Sequence, residues 1–172
     1  MPYTNQQIGA LVEPARLHRS IYNDPEIFEL EMERIWGSAW IYIGHESQVP
    51  NPGDYYTLNI NHKVPVVMVR DRAGQVHVLH NRCAHKGAKL VDTRCGNARA
   101  FRCCYHGWTF NTDGTLLKIP NEAGYEGTGF DIKDPANNMQ KVAQYESYRG
   151  FVFATLDPGA PDLRTWLGGS ID

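Results

Sequence analysis

The spacing of apolar residues changes character twice along the chain. From Ile27 the residues Ile27, Phe28, Leu30, Met32, Ile35 and Trp36 recur at helical spacing. Asn23 and Asp24 offer a cap, Pro25 suits a first turn, and Glu26 lies near the positive end of the helix dipole. A packing helix ending near Gly37 is predicted. The twenty residues at the start are polar and irregular. From Trp40 the pattern shortens to strands, predicted at 40–43, 55–60, 64–70 and 75–80. Turn-forming clusters at 50–54, 61–63 and 71–74 separate them. Residues 108–110 and 115–117 predict a hairpin about 111–114. A second hairpin joins 142–146 to 151–155. A loop rich in Gly, Asn, Asp and Pro fills 121–138, and 161–167 is predicted as one or two helical turns. Many short strands with frequent turns predict an antiparallel all-β domain over 39–157, preceded by a short N-terminal helix in 1–38. Residues 158–172 are expected to begin a further, truncated domain.

The remaining sequence properties narrow the class. A chain of 172 residues suffices for one domain with a real core and is too short for two. With 42% hydrophobic and 21% charged residues it matches soluble globular proteins rather than disordered ones. The longest apolar runs are of strand length, well short of the roughly 20 residues of a membrane span, so no membrane segment is expected. The net charge of −2 offers no overall basic field for nucleic acid or an anionic membrane. No positive region precedes an apolar one at the N-terminus, so a cytoplasmic location is expected. In that compartment Cys83, Cys95, Cys103 and Cys104 point to metal binding rather than to a disulfide framework.

The chemistry concentrates in Cys83-Ala84-His85 and, seventeen residues on, Cys103-Cys104-Tyr105-His106. Two loops of this kind can bring two thiolates and two imidazoles together. That donor set suits a tetrahedral zinc site or a [2Fe–2S] centre with two Cys on one iron and two His on the other. Zinc fingers pair like with like, Cys with Cys and His with His. Here each loop supplies one of each, so each loop can reach both irons. Gly87 and Gly107 follow the two loops and allow tight turns that aim backbone N–H groups at sulfur. Spacing therefore favours the iron–sulfur alternative, with zinc as the competitor.

The stretches Asn81-Arg82-Cys83-Ala84-His85-Lys86-Gly87-Ala88 and Cys103-Cys104-Tyr105-His106-Gly107-Trp108-Thr109-Phe110 resemble the cluster loops of Rieske non-haem iron oxygenases. The likeness is to the N-terminal part of their α subunits. Supporting stretches at 17–22, 44–50 and 145–153 look most like the benzoate, toluate and anthranilate branch of aromatic-ring hydroxylases. The resemblance implies that Cys83 and Cys103 hold the buried iron of a [2Fe–2S] cluster, and that His85 and His106 hold the outer iron. It implies electron entry from a reductase or ferredoxin and exit through His106 to a mononuclear iron. It also implies trimeric α subunits, often with a smaller β subunit, and in the whole enzyme an aromatic acid substrate oxidised with NAD(P)H and O₂. Trp108 is expected to pack beside the second loop.

Two positions depart from the family pattern: Lys86 stands where Arg is usual, and Cys104 where Pro is usual. A Lys point charge does not reproduce the guanidinium fork. Ala88 and Tyr105 occupy positions where the respiratory Rieske type carries its extra disulfide-forming cysteines. All seven histidines lie at or before His106, so a downstream mononuclear iron triad is absent from this chain. A stand-alone Rieske ferredoxin is the alternative reading, and a structural zinc module a third. His77 and His80, three apart in a predicted strand, are expected on opposite faces as structural residues, and Cys95 in an exposed turn.

Overall fold

The computed structural model describes residues 3–171. The first segment is more ordered than its polarity predicts. It holds a helical turn α1 (Asn5–Gly9), a small hairpin of β1 (Val12–Glu13) and β2 (Arg16–Leu17), and a second turn α2 (Ser20–Asn23). Local capping stabilises these pieces: Thr4 and Gln7 form a reciprocal capping box on α1. The predicted helix is α3 (Pro25–Arg34), with Asp24 accepting from the Glu26 amide and Pro25 in the first turn. It buries only Ile27 and Leu30, while Phe28, Ile35 and Trp36 are exposed, so its packing face is narrower than the apolar spacing suggests.

The body is antiparallel β-structure. In chain order it contains β3 (Ile41–His45), β4 (Asp54–Ile60), β5 (Val64–Arg70), β6 (Val76–His80), β7 (Cys95–Asn97), β8 (Phe101–Arg102), β9 (Thr109–Phe110), β10 (Leu116–Lys118), β11 (Gln144–Tyr148) and β12 (Phe151–Thr155). One sheet has the order β6-β5-β4-β7, a second β11-β12-β3, and a third β10-β9-β8. Cys95, expected in a turn, lies instead in β7, which covers the free edge of β4; its thiol is exposed as expected. The final hairpin pairs Gln144–Tyr148 with Phe151–Thr155, two residues later on its first strand than predicted.

Strand β5 divides two cores. Val66 and Met68 point into the core shared with β11, β12 and β3, where Ile43, Val142 and Val152 are buried. Val67 and Val69 point the other way, into the core beneath the cysteine loops, with Phe101, Trp108, Phe110 and Ile119. Alternation of side chains explains why an uninterrupted apolar run forms one strand buried on both faces. The third sheet and the two cysteine loops, one following β6 and one following β8, therefore stand on β5 as a cap over the second of these cores. A short α4 (Leu163–Leu167) follows β12. Its segment is fastened to the body by buried Leu163, by Trp40 Nε1 donating to the Pro161 carbonyl at 2.8 Å, and by Tyr148 donating to the Ile171 carbonyl at 2.7 Å.

Candidate metal centre

Each cysteine loop begins where a strand runs out. Strand β6 ends at His80, and β8 ends at Arg102. The two loops close by the same pair of backbone hydrogen bonds. In the first, the Gly87 amide donates to the Cys83 carbonyl at 2.9 Å and the Cys83 amide to the Ala88 carbonyl at 2.8 Å. In the second, the Gly107 amide donates to the Cys103 carbonyl at 3.0 Å and the Cys103 amide to the Trp108 carbonyl at 2.8 Å. Both closures need a left-handed residue at the fifth position, and Gly87 and Gly107 take φ of 72° and 74°.

Asn81 anchors the first loop; it opens the stretch that carries the resemblance, but no role of its own was expected for it from sequence. It is fully buried. Its Nδ2 donates to the Val91 carbonyl at 2.7 Å, and its Oδ1 accepts from the Val91 amide at 2.9 Å and the Leu90 amide at 3.2 Å. Burial beside a cysteine loop was the missing signal, and only the tertiary structure supplies it.

The loops sort their donors by depth. Cys83 and Cys103 are each 3% exposed at the base, and their sulfur atoms are neighbours. Burial pushes the Cys83 thiol up, the nearby Cys103 adds to that, and backbone amides of His85 and Lys86 directed at the sulfur oppose it. At the rim His85 is half-buried and His106 exposed, with ring centroids 4.7 Å apart. Trp108 was expected beside its own loop; its ring lies flat against His85 of the other loop, 4.9 Å away at an interplanar angle of 6°. Burial, together with the adjacent His106 and Lys86, lowers the proton affinity of His85. His85 Nδ1 is buried and has no hydrogen-bond partner. A buried nitrogen left without a partner is costly in a protein that uses it for nothing else, and it suits a metal ligand.

Among the described residues, no three His, Cys, Asp or Glu side chains close on one single-ion site. A tetrahedral zinc site asks four donors to meet at one point. A two-iron cluster asks each iron for two protein ligands only. Paired thiols below and paired imidazoles above, with an orphaned imidazole nitrogen, therefore fit the cluster.

The other sequence-noted residues lie elsewhere. His77 and His80 do face opposite ways. His77 bridges Asp71, at 2.8 Å from Nε2, and the Tyr145 hydroxyl, at 3.0 Å from Nδ1. That structural chain was not anticipated. His80 is pushed toward the neutral form by burial and by Arg82. Cys104 is exposed.

An antiparallel β-domain that carries two such loops on its own cap defines an electron-transfer protein with a mixed Cys/His iron–sulfur centre. A family model for the Rieske [2Fe-2S] domain matches residues 39–146, and the chain belongs to that family. The domain binds a [2Fe–2S] cluster. The chain is 41% identical over 157 residues to the toluate 1,2-dioxygenase subunit alpha of Pseudomonas putida, covering 90% of this chain and 34% of that one. It is 38% identical over 169 residues to the biphenyl 2,3-dioxygenase subunit alpha of Rhodococcus jostii, covering 96% and 35%. Its fold superposes on naphthalene 1,2-dioxygenase from Rhodococcus sp. bound to indole with a TM-score of 0.81 at 37% identity, covering 88% of this chain and 34% of that one. The chain thus spans about a third of the length of the curated relatives it matches. Among the described residues no helix is long and apolar enough to cross a membrane.

Proposed function

We propose that this chain is the electron-transfer segment of an aromatic-ring-hydroxylating dioxygenase α subunit. Cys83 and Cys103 hold the inner iron, and His85 and His106 the outer one. The observation that carries this is the sorting of donors by depth, buried thiols beneath a half-buried and an exposed imidazole. When bound, a [2Fe–2S] cluster supplies storage for one electron at a time. The protein excludes water from the sulfurs, aims amides at Cys83, and fixes the His85 ring with Trp108. His106, at the surface, is the point of contact with what lies outside.

Electrons arrive from a reductase or ferredoxin that draws on NAD(P)H, and pass by way of His106 to a mononuclear iron in the remainder of a longer subunit. Residues 158–172 lead into that remainder. O₂ and an aromatic acid of the benzoate or toluate kind are the reactants of the whole enzyme. The toluate relative supports this choice. The subunits assemble as α trimers in the cytoplasm, with a β subunit where one exists.

Elemental analysis and spectroscopy of the purified chain test the ligand set. The expected result is two irons and two acid-labile sulfides per chain, with nitrogen couplings from two histidines in the pulsed EPR of the reduced form. His106→Ala and His85→Ala each remove one coupling, and Cys104→Ser removes none. A colourless protein with one zinc per chain, or a spectrum without histidine nitrogen, overturns the assignment.

A further inference from the structure

Four connections between strands converge. They are the turn before β4, the β5–β6 turn, the segment from β7 to β8, and the turn of the β9–β10 hairpin. They line a cavity of about 380 Å³ whose walls include Gly53, Arg72, Asn97, Arg99 and Thr112. That volume falls in the range of small-ligand sites. No residue of either cysteine loop lines it. It lies at the ends of β8 and β9 opposite to the second loop, because Arg99 precedes β8 and Thr112 follows β9.

The walls carry two cations and no acid. Asp54, Asp71 and Asp113 stand close by in sequence, but each is engaged elsewhere. Asp54 accepts from Asn97 Nδ2 and from the Asn51 amide, both at 2.8 Å. Asp71 is held to His77, and Asp113 accepts from the Thr115 amide at 2.8 Å and its hydroxyl at 2.7 Å. Among the described residues, ion pairs use Arg16, Lys63, Arg70, His77 and Lys89. Guanidinium hydrogen bonds belong to Arg16, Arg34, Arg70 and Arg94, and contacts with aromatic faces to Arg94, Arg149 and Arg164. Arg72 and Arg99 belong to none of these sets.

Thr112 supplies an independent sign. Three polar side chains are buried: Asn81, Thr112 and Thr155. Asn81 is bonded to Val91 and Leu90, and the Thr155 hydroxyl accepts from the Asp157 amide at 3.2 Å. The Thr112 hydroxyl makes no hydrogen bond to any described residue, although Thr112 is only 3% exposed. Among the described residues His85 Nδ1 alone is both sealed off and without a partner, so the Thr112 hydroxyl opens onto the cavity that it lines. Buried polar groups in folded proteins are paired. A hydroxyl and two guanidinium groups left unpaired on one cavity call for an anionic acceptor. Arginine forks match phosphate oxygens. Donors from three separate connections surround an acceptor on several sides, which suits a tetrahedral oxyanion better than a planar carboxylate.

We propose that Arg72, Arg99 and Thr112 form a binding site for a phosphate group, either free or carried on a small molecule. The site is separate from the cysteine loops and does not depend on the electron-transfer reading. Its occupant ties the β5–β6 turn, the β7–β8 segment and the β9–β10 turn together. Binding to the folded chain alone therefore raises its stability by mass action.

The experiment is a titration of the 172-residue chain followed by ¹H–¹⁵N NMR, with inorganic phosphate, glycerol 2-phosphate and acetate as probes. Chloride holds the ionic strength constant, so that screening does not change along the titration. Both phosphate probes are expected to give saturable shifts of the Arg72, Arg99 and Thr112 amides, and phosphate to raise Tm. Acetate gives neither at the same concentration. Arg72→Gln/Arg99→Gln weakens phosphate binding at least about tenfold and abolishes the Tm rise. Thr112→Val keeps the shape, removes the hydroxyl, and weakens binding about fivefold or more. Lys118→Gln/Lys133→Gln removes the same charge elsewhere and leaves binding within about twofold. Both arginines are exposed, so their double variant keeps its phosphate-free Tm and decides the matter even if Thr112→Val fails to fold. Tighter binding of the ester assigns a phosphorylated small molecule, and tighter binding of inorganic phosphate assigns the free ion; both support the site. Absence of saturable shifts overturns the proposal. So does undiminished binding by the arginine double, equal loss in the lysine double, or acetate binding as tightly as phosphate.

Discussion

Replacing Asn81 by Ala tests whether one buried side chain holds the first cysteine loop. The change deletes three hydrogen bonds and introduces no larger group. The Val91 amide and carbonyl lose their partner, and Val91 is buried. The Leu90 amide is half-buried and regains a bond to water. Each stranded buried group costs about 1–3 kcal/mol, so two give roughly 4 kcal/mol as a central value. For a chain of this size a kcal/mol shifts Tm by about 2–4 °C, which sets the expected fall at about 8–16 °C. Thermal unfolding of the cluster-loaded protein by circular dichroism measures it. Hydrogen exchange of a peptide covering 88–92 locates it, with the Leu90 and Val91 amides losing protection. A drop below about 3 °C with unchanged exchange refutes the reasoning, since the three bonds would then be contributing little beyond what water provides.

Gly107→Ala and Gly87→Ala share a left-handed backbone penalty of about 1–2 kcal/mol, but their surroundings differ. A Cβ at 107 stands 2.8 Å from Pro120 Cγ, a ring atom with little freedom, whereas one at 87 meets the mobile end of Arg82. Gly107→Ala is therefore expected to lose more Tm and more iron per chain, and equal losses would refute the steric argument. Trp108→Ala removes the buried ring stacked on His85 and should cost about 3–5 kcal/mol, read from denaturant midpoints, with Trp108→Phe recovering about half. Burial alone would raise the Asp71 carboxyl, but hydrogen bonds from His77 and the Gln75 amide outweigh it and hold the group below its ordinary value. A depressed folded value means that this stabilisation is present above the ordinary Asp range and lost as pH falls through the folded value. Tm is thus expected to decline below about pH 4, and Asp71→Asn to be less stable at neutral pH with a shallower acid slope; parallel Tm–pH curves contradict this.

Local signals determined much of this protein. The cap at Asp24 and Pro25, the turn clusters, and strand-length apolar runs placed α3 and most of the sheet, because those preferences act over a few residues. Spacing and residue type in the two loops pointed to the proposed donors and to a Rieske domain, since a mixed Cys/His set in each loop suits few metal centres. What only the tertiary structure decided depends on burial and on partners distant in sequence. The two-sided burial of β5, the edge pairing of β7 with β4, and the anchoring of the loop by Asn81 are of this kind. So are the stacking of Trp108 on the opposite loop's histidine and the Asp71–His77–Tyr145 chain. A polar side chain next to a motif looks the same in sequence whether it faces water or the core, and folding decides which by bringing residues tens of positions apart into contact.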